Sequence, residues 1–252
     1  MGEYYSRPAW LARQVRQLFY PRRCPYCRRV LGSLPRCEEC EPVLKNLRHQ
    51  PTMRLEEDSH YLGRLEGAAA PYRYEGIVRN AILRAKYQGE SWTAVELGVE
   101  MAALLFGTEV EMKLAEPVPR PMEGYALGYD CIVPVPATSC RRGYNVPERM
   151  AQPLVWALGI PLLPDALCRV RTGRHQAGLS LSERLVNVAG AFRAVDPERI
   201  EGRRVLLVDD VITTGATAAA CAQALLDAGA HSVFAVALAA AETDADTAEK
   251  KK

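Results

Sequence analysis

No run of apolar residues in this 252-residue chain reaches the length, about 20, that a helix needs to cross a bilayer. The N-terminus carries arginines but no continuous apolar stretch leading to a cleavage site, so a secretory signal is not expected and the expected location is cytoplasmic. A strong charge of one sign is missing too, since the formal net charge is only +2. Its distribution is uneven. Residues 1–50 hold ten Lys or Arg against four Asp or Glu, a local excess of +6 that leaves −4 for the remainder. A basic N-terminal fifth suits a polyanion such as nucleic acid; an arginine-rich solvated surface has the same composition, and the two readings stay open. With 48% hydrophobic and 25% charged residues the composition is that of a soluble globular protein, and the length admits one large domain or a medium one with a small appendage.

Bulky side chains are absent from one short stretch, and that absence is the most informative. Val205-Leu206-Leu207-Val208 reads as a strand covered on both faces, and Asp209-Asp210 follow at its carboxyl end. After Val211-Ile212 comes Thr213-Thr214-Gly215-Ala216-Thr217, small and rich in hydroxyls, opening a helix. Backbone can approach a ligand closely there, and unpaired N–H groups at a helix start cradle phosphate. A phosphate on that loop would put a ribose near Asp209 and Asp210, whose carboxylates accept hydrogen bonds from vicinal hydroxyls and can hold Mg²⁺. The plain alternative is a βα turn with a surface acid pair; strand, acids and loop together favour the ligand. The run closely resembles the phosphoribosyl pyrophosphate (PRPP) motif of type I phosphoribosyltransferases. The resemblance implies that Asp209 and Asp210 hold the ribose hydroxyls while Thr213, Thr214, Gly215, Ala216 and Thr217 hold the 5′-phosphate.

Of the eight cysteines, Cys24, Cys27, Cys37 and Cys40 form two C-x-x-C knuckles with nine residues between them, Gly32 and Pro35 favouring a turn. Four thiolates converging on one point suit structural zinc, with no open position for catalysis. Two disulfides would compete in an oxidising compartment, a redox dithiol explains only one knuckle, and residue type alone leaves an iron–sulfur cluster open. Arg22, Arg23, Arg28, Arg29 and Arg36 would offset the charge of a tetrathiolate. Cys131, Cys140, Cys168 and Cys221 read as buried or incidental thiols.

Elsewhere the pattern predicts an amphipathic helix over 7–20, a linker over 41–66, a strand near 68–74 and helices over 76–87, 96–106 and 147–158. In the 76–87 helix Ile77, Ala81 and Ile82 share one side, leaving Arg79, Arg84 and Lys86 available on the other. Residues 107–129 read as an irregular excursion, and 132–136 as a strand leaving into a loop with Arg141 and Arg142, suited to pyrophosphate. Arg169, Arg171, Arg174, His175, Gln176, Arg184 and Asn187 lie in a Gly- and Ser-rich segment that reads as a lid over an anion or as a surface loop. A helix over 217–228 and a strand over 232–238 follow.

The whole chain from about residue 10 to 240 resembles the ComF family (competence protein F). The resemblance rests on the two knuckles, Lys86-Tyr87-Gln88-Gly89, Pro134-Val135-Pro136, Arg142-Gly143-Tyr144-Asn145, Gln176, Glu183-Arg184, Asn187-Val188, Ala191-Phe192 and the acid-and-threonine run. It implies a zinc module joined to a phosphoribosyltransferase-type domain, and a link to DNA uptake. Cys140 to Asn145 would face pyrophosphate, and about Arg171 to Asn187 would form the flexible hood. The chain departs from the family at Tyr144-Asn145-Val146-Pro147, where a Phe-Asn-Gln-Ala type run is usual.

The expected fold is therefore α/β: an open, mainly parallel sheet of type I phosphoribosyltransferase type over 60–240, after a helix and small zinc-ribbon-like module over 1–55 and before a disordered tail over 241–252. The expected ligand is PRPP or a related phosphate with Mg²⁺, held by Asp209, Asp210, residues 213–217, Arg141, Arg142, Arg171 and Arg184. Single-stranded DNA and DNA-processing proteins are the expected partners of the basic module. The alternative is an active transferase that moves phosphoribosyl to a nitrogen acceptor; the chain shows no nucleobase-specificity segment and no glutamine amidotransferase domain.

Overall fold

The computed structural model describes residues 11, 12, 15, 19–49, 54–55, 64–113, 115–122, 128–137, 143–170 and 190–241. The core is a sheet of β1 (Arg54–Leu55), β2 (Gly67–Ala69), β10 (Ser232–Ala240), β9 (Arg204–Ile212) and β6 (Cys131–Pro134), in that order, with β3 (Tyr72–Arg73) also against β10. All pairings within it are parallel except β1 with β2. Parallel strands need both faces covered, and β9 shows how one run of sequence serves both. Val205 and Leu207 point into one apolar cluster, Leu206 and Val208 into the other.

One face is covered by α2 (Gly76–Tyr87), α3 (Ser91–Phe106) and α4 (Val146–Leu158), the other by α5 (Ala216–Asp227) and a hairpin of β7 (Leu167–Arg169) with β8 (Phe192–Ala194). Helices α3 and α4 pack unusually close: a Cβ on Gly98 would lie 2.2 Å from the Met150 carbonyl oxygen.

Three expectations need revision. The stretch expected as a linker opens with α1 (Cys40–Leu47), which buries Leu44 and Leu47 in the same cluster as Tyr72 and Val78. The excursion expected to be irregular contains an antiparallel hairpin, β4 (Val110–Lys113) with β5 (Glu116–Pro119), whose two prolines disguise it. Arg84 and Lys86 do not lie on a free outer side of α2; both reach inward to distant elements. The helix expected over 7–20 and the tail over 241–252 fall largely outside the described residues, although 11, 12, 15 and 19 are helical.

Candidate functional site

The ligand-facing end of the sheet is shaped by unequal strand lengths. Strand β6 ends at Pro134, opposite Val208, whereas β9 continues through Asp209 and Asp210 to Ile212. The acids therefore lie inside β9, on the stretch that has outrun its β6 neighbour, rather than just beyond the strand as the sequence suggested. Successive residues of a strand face opposite sides. Asp209 turns toward α5, where its charge helps to raise the buried Cys221 thiol, after burial itself. Asp210 turns toward α2, where its Oδ1 meets Lys86 Nζ at 2.8 Å. The Asp210 N–H donates to Asp209 Oδ1 at 2.8 Å, which ties the two together across the strand.

Burial, and then the neighbouring Asp210 charge, push the Asp209 carboxyl up to about 7, with Lys86 opposing. The result is a paired-acid site in which one member is compensated by a lysine and the other is poised to titrate near neutral pH.

Ile212 ends β9, and Thr213 to Gly215 turn into α5. Gly215 takes φ +80 at the N-cap, a left-handed backbone that glycine adopts without penalty. The Thr214 hydroxyl accepts from the Ala216 N–H at 3.5 Å, and no side chain caps the helix. The first-turn N–H groups of α5, which includes Thr217, thus face the same end of the sheet as the acids, with the positive end of the helix dipole. On the other flank Asn145 Nδ2 donates to the Val135 carbonyl at 2.9 Å, fastening the start of α4 to the strand end where the pyrophosphate-facing loop departs. Arg141, Arg142, Arg171 and Arg184, with His175, lie outside the described residues.

The second site is the cysteine cluster. The first knuckle sits in a tight turn between Arg23 and Val30, with Arg28 left-handed at φ +66, and the second leads into α1. The sulfurs of Cys24, Cys27, Cys37 and Cys40 all lie within 4.8 Å of one another, with Cys24 to Cys40 at 3.8 Å and Cys27 to Cys37 at 3.6 Å. A tetrahedron with metal–sulfur bonds of about 2.3 Å has edges of about 3.8 Å, so the spacing fits a tetrathiolate metal centre. All four are free thiols. Burial drives the Cys24 thiol up to about 11 and Cys40 higher still, while hydrogen bonds from the Arg29 backbone and the other cysteines outweigh burial at Cys27 and draw it down. A bound cation would hold these groups as thiolates. Of the remaining cysteines, Cys131 and Cys221 are buried and Cys168 partly so.

The arginines around the knuckles do something the sequence did not reveal. Arg22, buried, makes two bonds to Glu96 of α3, at 2.7 and 3.0 Å. Arg28 pairs with Glu90, Arg29 with Glu39 and Arg36 with Glu41. Tyr26 donates to Glu100, which also accepts from Tyr72 at 2.5 Å. Glu96 and Glu100 fall in the helix expected over 96–106 and Glu90 before it; only their partners, 62 to 74 residues away, make the three a seam.

Fold and site define the class: a phosphoribosyltransferase-type α/β domain whose core continues into a four-cysteine module. A family model described as "Phosphoribosyl transferase domain" matches residues 132–252. Competence protein F of Haemophilus influenzae is 30% identical over 198 residues, covering 77% of this chain and 80% of that protein. The chain belongs to the competence protein F family. DNA utilization protein YhgH of Salmonella typhi is 36% identical over 141 residues, 55% of this chain and 58% of that protein. The protein of the same name in Escherichia coli K12 is 41% identical over 93 residues, 37% of this chain and 40% of its own length, so the chain matches less than two thirds of either DNA utilization protein. Among solved structures, a glutamine PRPP amidotransferase from B. subtilis overlaps 59% of this chain and 26% of its own, at 24% identity and a TM-score of 0.35, a slight likeness. Among the described residues no helix is long and apolar enough to cross a membrane.

Proposed function

We propose that this protein binds PRPP or a closely related phosphoribosyl ligand with Mg²⁺, and that it does so in the service of DNA uptake. One observation carries the reading: Asp209 and Asp210 stand on the overhang of β9, beside the uncapped, glycine-led start of α5. A 5′-phosphate on the α5 amides leaves the ribose 2′- and 3′-hydroxyls facing the carboxylates, which accept hydrogen bonds and hold Mg²⁺ directly or through water. Arg141, Arg142, Arg171 and Arg184 are the candidates for the pyrophosphate, as guanidiniums suit bidentate phosphate contacts. Cys24, Cys27, Cys37 and Cys40 are assigned structural zinc on their spacing.

The names of the relatives, competence protein F and DNA utilization protein, support a reading in which DNA is a partner. Contact of the basic module with single-stranded DNA must reckon with its ion pairs. Arg28, Arg29 and Arg36 are more than half exposed yet each has a glutamate partner. Of these only the Arg29–Glu39 pair is exposed on both sides, and such a pair is weak, so a phosphate backbone can exchange for Glu39 with binding that falls steeply with salt, whereas the nearly buried Glu90 keeps its hold on Arg28.

A second reading, turnover, has the Asp209 carboxyl in its favour, since groups poised near neutrality gather at reacting centres. The bond from ribose C1′ to the pyrophosphate oxygen would break, a nitrogen lone pair would form the new C1′–N bond, and pyrophosphate would leave with the bonding electrons. Calorimetry of PRPP with Mg²⁺ on the wild type and on Asp209→Asn/Asp210→Asn tests the binding: heat in the wild type and none in the variant is expected. No heat in the wild type rejects the ligand. Pyrophosphate release across the standard nucleobases then separates transferase from binder.

A further inference from the structure

The last turn of α2 serves three distant elements with three consecutive residues. Arg84 Nη2 donates to the Tyr26 carbonyl at 2.8 Å and to the Pro25 carbonyl, both inside the first cysteine knuckle. The Ala85 carbonyl accepts from the Tyr144 hydroxyl at 2.5 Å, and Tyr144 belongs to the end of the loop expected to face pyrophosphate. Lys86 crosses to the sheet and meets Asp210. A basic residue in a last helical turn ordinarily serves the helix's own carbonyls and dipole. Lys86 instead spans to a carboxylate on β9.

The surroundings sharpen the point. The Lys86 side chain is 25% exposed and that of Asp210 only 5%, so the pair sits at the boundary between core and ligand-facing end. Two adjacent carboxylates in such a place repel each other unless a cation is present. Lys86 Nζ, 2.8 Å from Asp210 Oδ1, sets a cationic side chain at that place. The helix end that delivers Lys86 is itself held by Arg84 and Tyr144, so the ammonium is placed by the fold rather than swinging on a free stem.

We infer that Lys86 is a positioning residue of the acid pair: it holds Asp210 aimed, and supplies beside the ribose-facing carboxylates part of the positive charge that Mg²⁺ brings with the ligand. The inference rests on the phosphoribosyl reading of the site. It makes the divalent cation helpful rather than indispensable in the wild type, and indispensable once the ammonium is gone.

The test uses the full chain with its cysteine-site metal in place, checked by metal analysis in every variant. PRPP binding is measured by calorimetry for the wild type, Lys86→Met and Lys86→Arg, with Mg²⁺ and in buffer stripped of divalent cations on a chelating resin. Omitting Mg²⁺ should cost the wild type less than about tenfold in Kd. It should cost Lys86→Met at least about 30-fold, with Mg²⁺ restoring the variant and Lys86→Arg following the wild type. Equal Mg²⁺ dependence in wild type and Lys86→Met overturns the inference. A ligand-free arm compares melting of Lys86→Met, Asp210→Asn and the double variant. The double variant should melt above Lys86→Met, because Asp210→Asn removes the carboxylate left without its partner; strictly additive losses overturn the pairing. A wild type that binds PRPP in neither buffer rejects the phosphoribosyl reading alone, and the melting arm then decides the pairing by itself.

Discussion

The acid-bearing end of β9 and the cysteine module are built on opposite plans. At β9 everything needed to read the site lies within thirteen consecutive residues, from Val205 to Thr217. The local chain supplies the strand, the acids, the left-handed glycine and the helix start. In the module only the four ligands are local. What fastens it to the domain is a set of pairs 62 to 74 residues apart, Arg28 with Glu90, Arg22 with Glu96 and Tyr26 with Glu100. A contiguous site can be recognised from its string of residues, whereas a seam exists only after the fold has closed it. The two are joined physically by α2, whose Arg84 grips the knuckle and whose Lys86 grips the acid pair.

The largest way to break the module is to take a ligand from it. Cys24, Cys37 and Cys40 are buried in the cluster that also contains Tyr72 and Val78, so loss of a metal held there would loosen the domain as well as the knuckles. Cys37→Ser should abolish stoichiometric zinc binding and lower stability by several kcal/mol, on the order of 5, as measured by metal content and chemical denaturation. A variant that keeps wild-type stability without metal would mean that the seam, not the metal, organises the module.

Next in size is the seam itself. Burial raises the Glu96 carboxyl, and Arg22 opposes this with two hydrogen bonds. Removing one member leaves a buried charge without its partner, so Arg22→Ala should cost about 3–5 kcal/mol. Arg22→Met/Glu96→Leu should recover much of it. Equal losses from the single and double variants in urea denaturation would show that the loss comes from packing and not from the pair.

How much of this was legible follows from the same contrast. Strands β6, β9 and β10 and helices α2, α4 and α5 show in hydrophobic runs and period, because each is set by residues next to one another. The acids and Thr213 to Thr217 stood out in the sequence because the backbone and side chains expected to cradle a phosphate are contiguous there. Lys86 was visible as part of a motif but without a role, since its partner is Asp210, on another element. Arg84 and Lys86 were expected on an open face because periodicity assigns a side of a helix and cannot tell how far a long side chain reaches back. Hairpin β4–β5 was missed because Pro117 and Pro119 mask a strand that tolerates them at an edge. The close approach of α3 and α4 had one sign, Gly98 in the middle of a helix. Gly98→Ala tests it: the added methyl, 2.2 Å from the Met150 oxygen, should cost about 1–3 kcal/mol although alanine is the better helix former. A neutral or stabilising result would mean that the two helices can part at little cost.

The smallest effect probes the acid pair without any ligand. Asp209 ionises near 3.8 when unfolded and near 7 in the folded protein. A carboxyl whose pKa is raised by folding binds its proton more tightly in the native state. Its contribution to stability is therefore fully present below about pH 4 and is lost as pH rises through about 7. Asp209→Asn imitates the protonated form at every pH. It should raise stability by on the order of 1–2 kcal/mol at pH 8, a deliberate discount on the full shift because the side chain is partly open to solvent. The gain should shrink toward zero near pH 4. The comparison with Asp210→Asn separates the two acids: that change abandons Lys86 and should not stabilise at either pH. Denaturation curves of both variants at pH 5 and pH 8 distinguish the cases. An Asp209→Asn gain of the same size at both values would place the cause in packing against α5 rather than in charge, and would remove the electrostatic difference between two adjacent residues that face opposite sides of one strand.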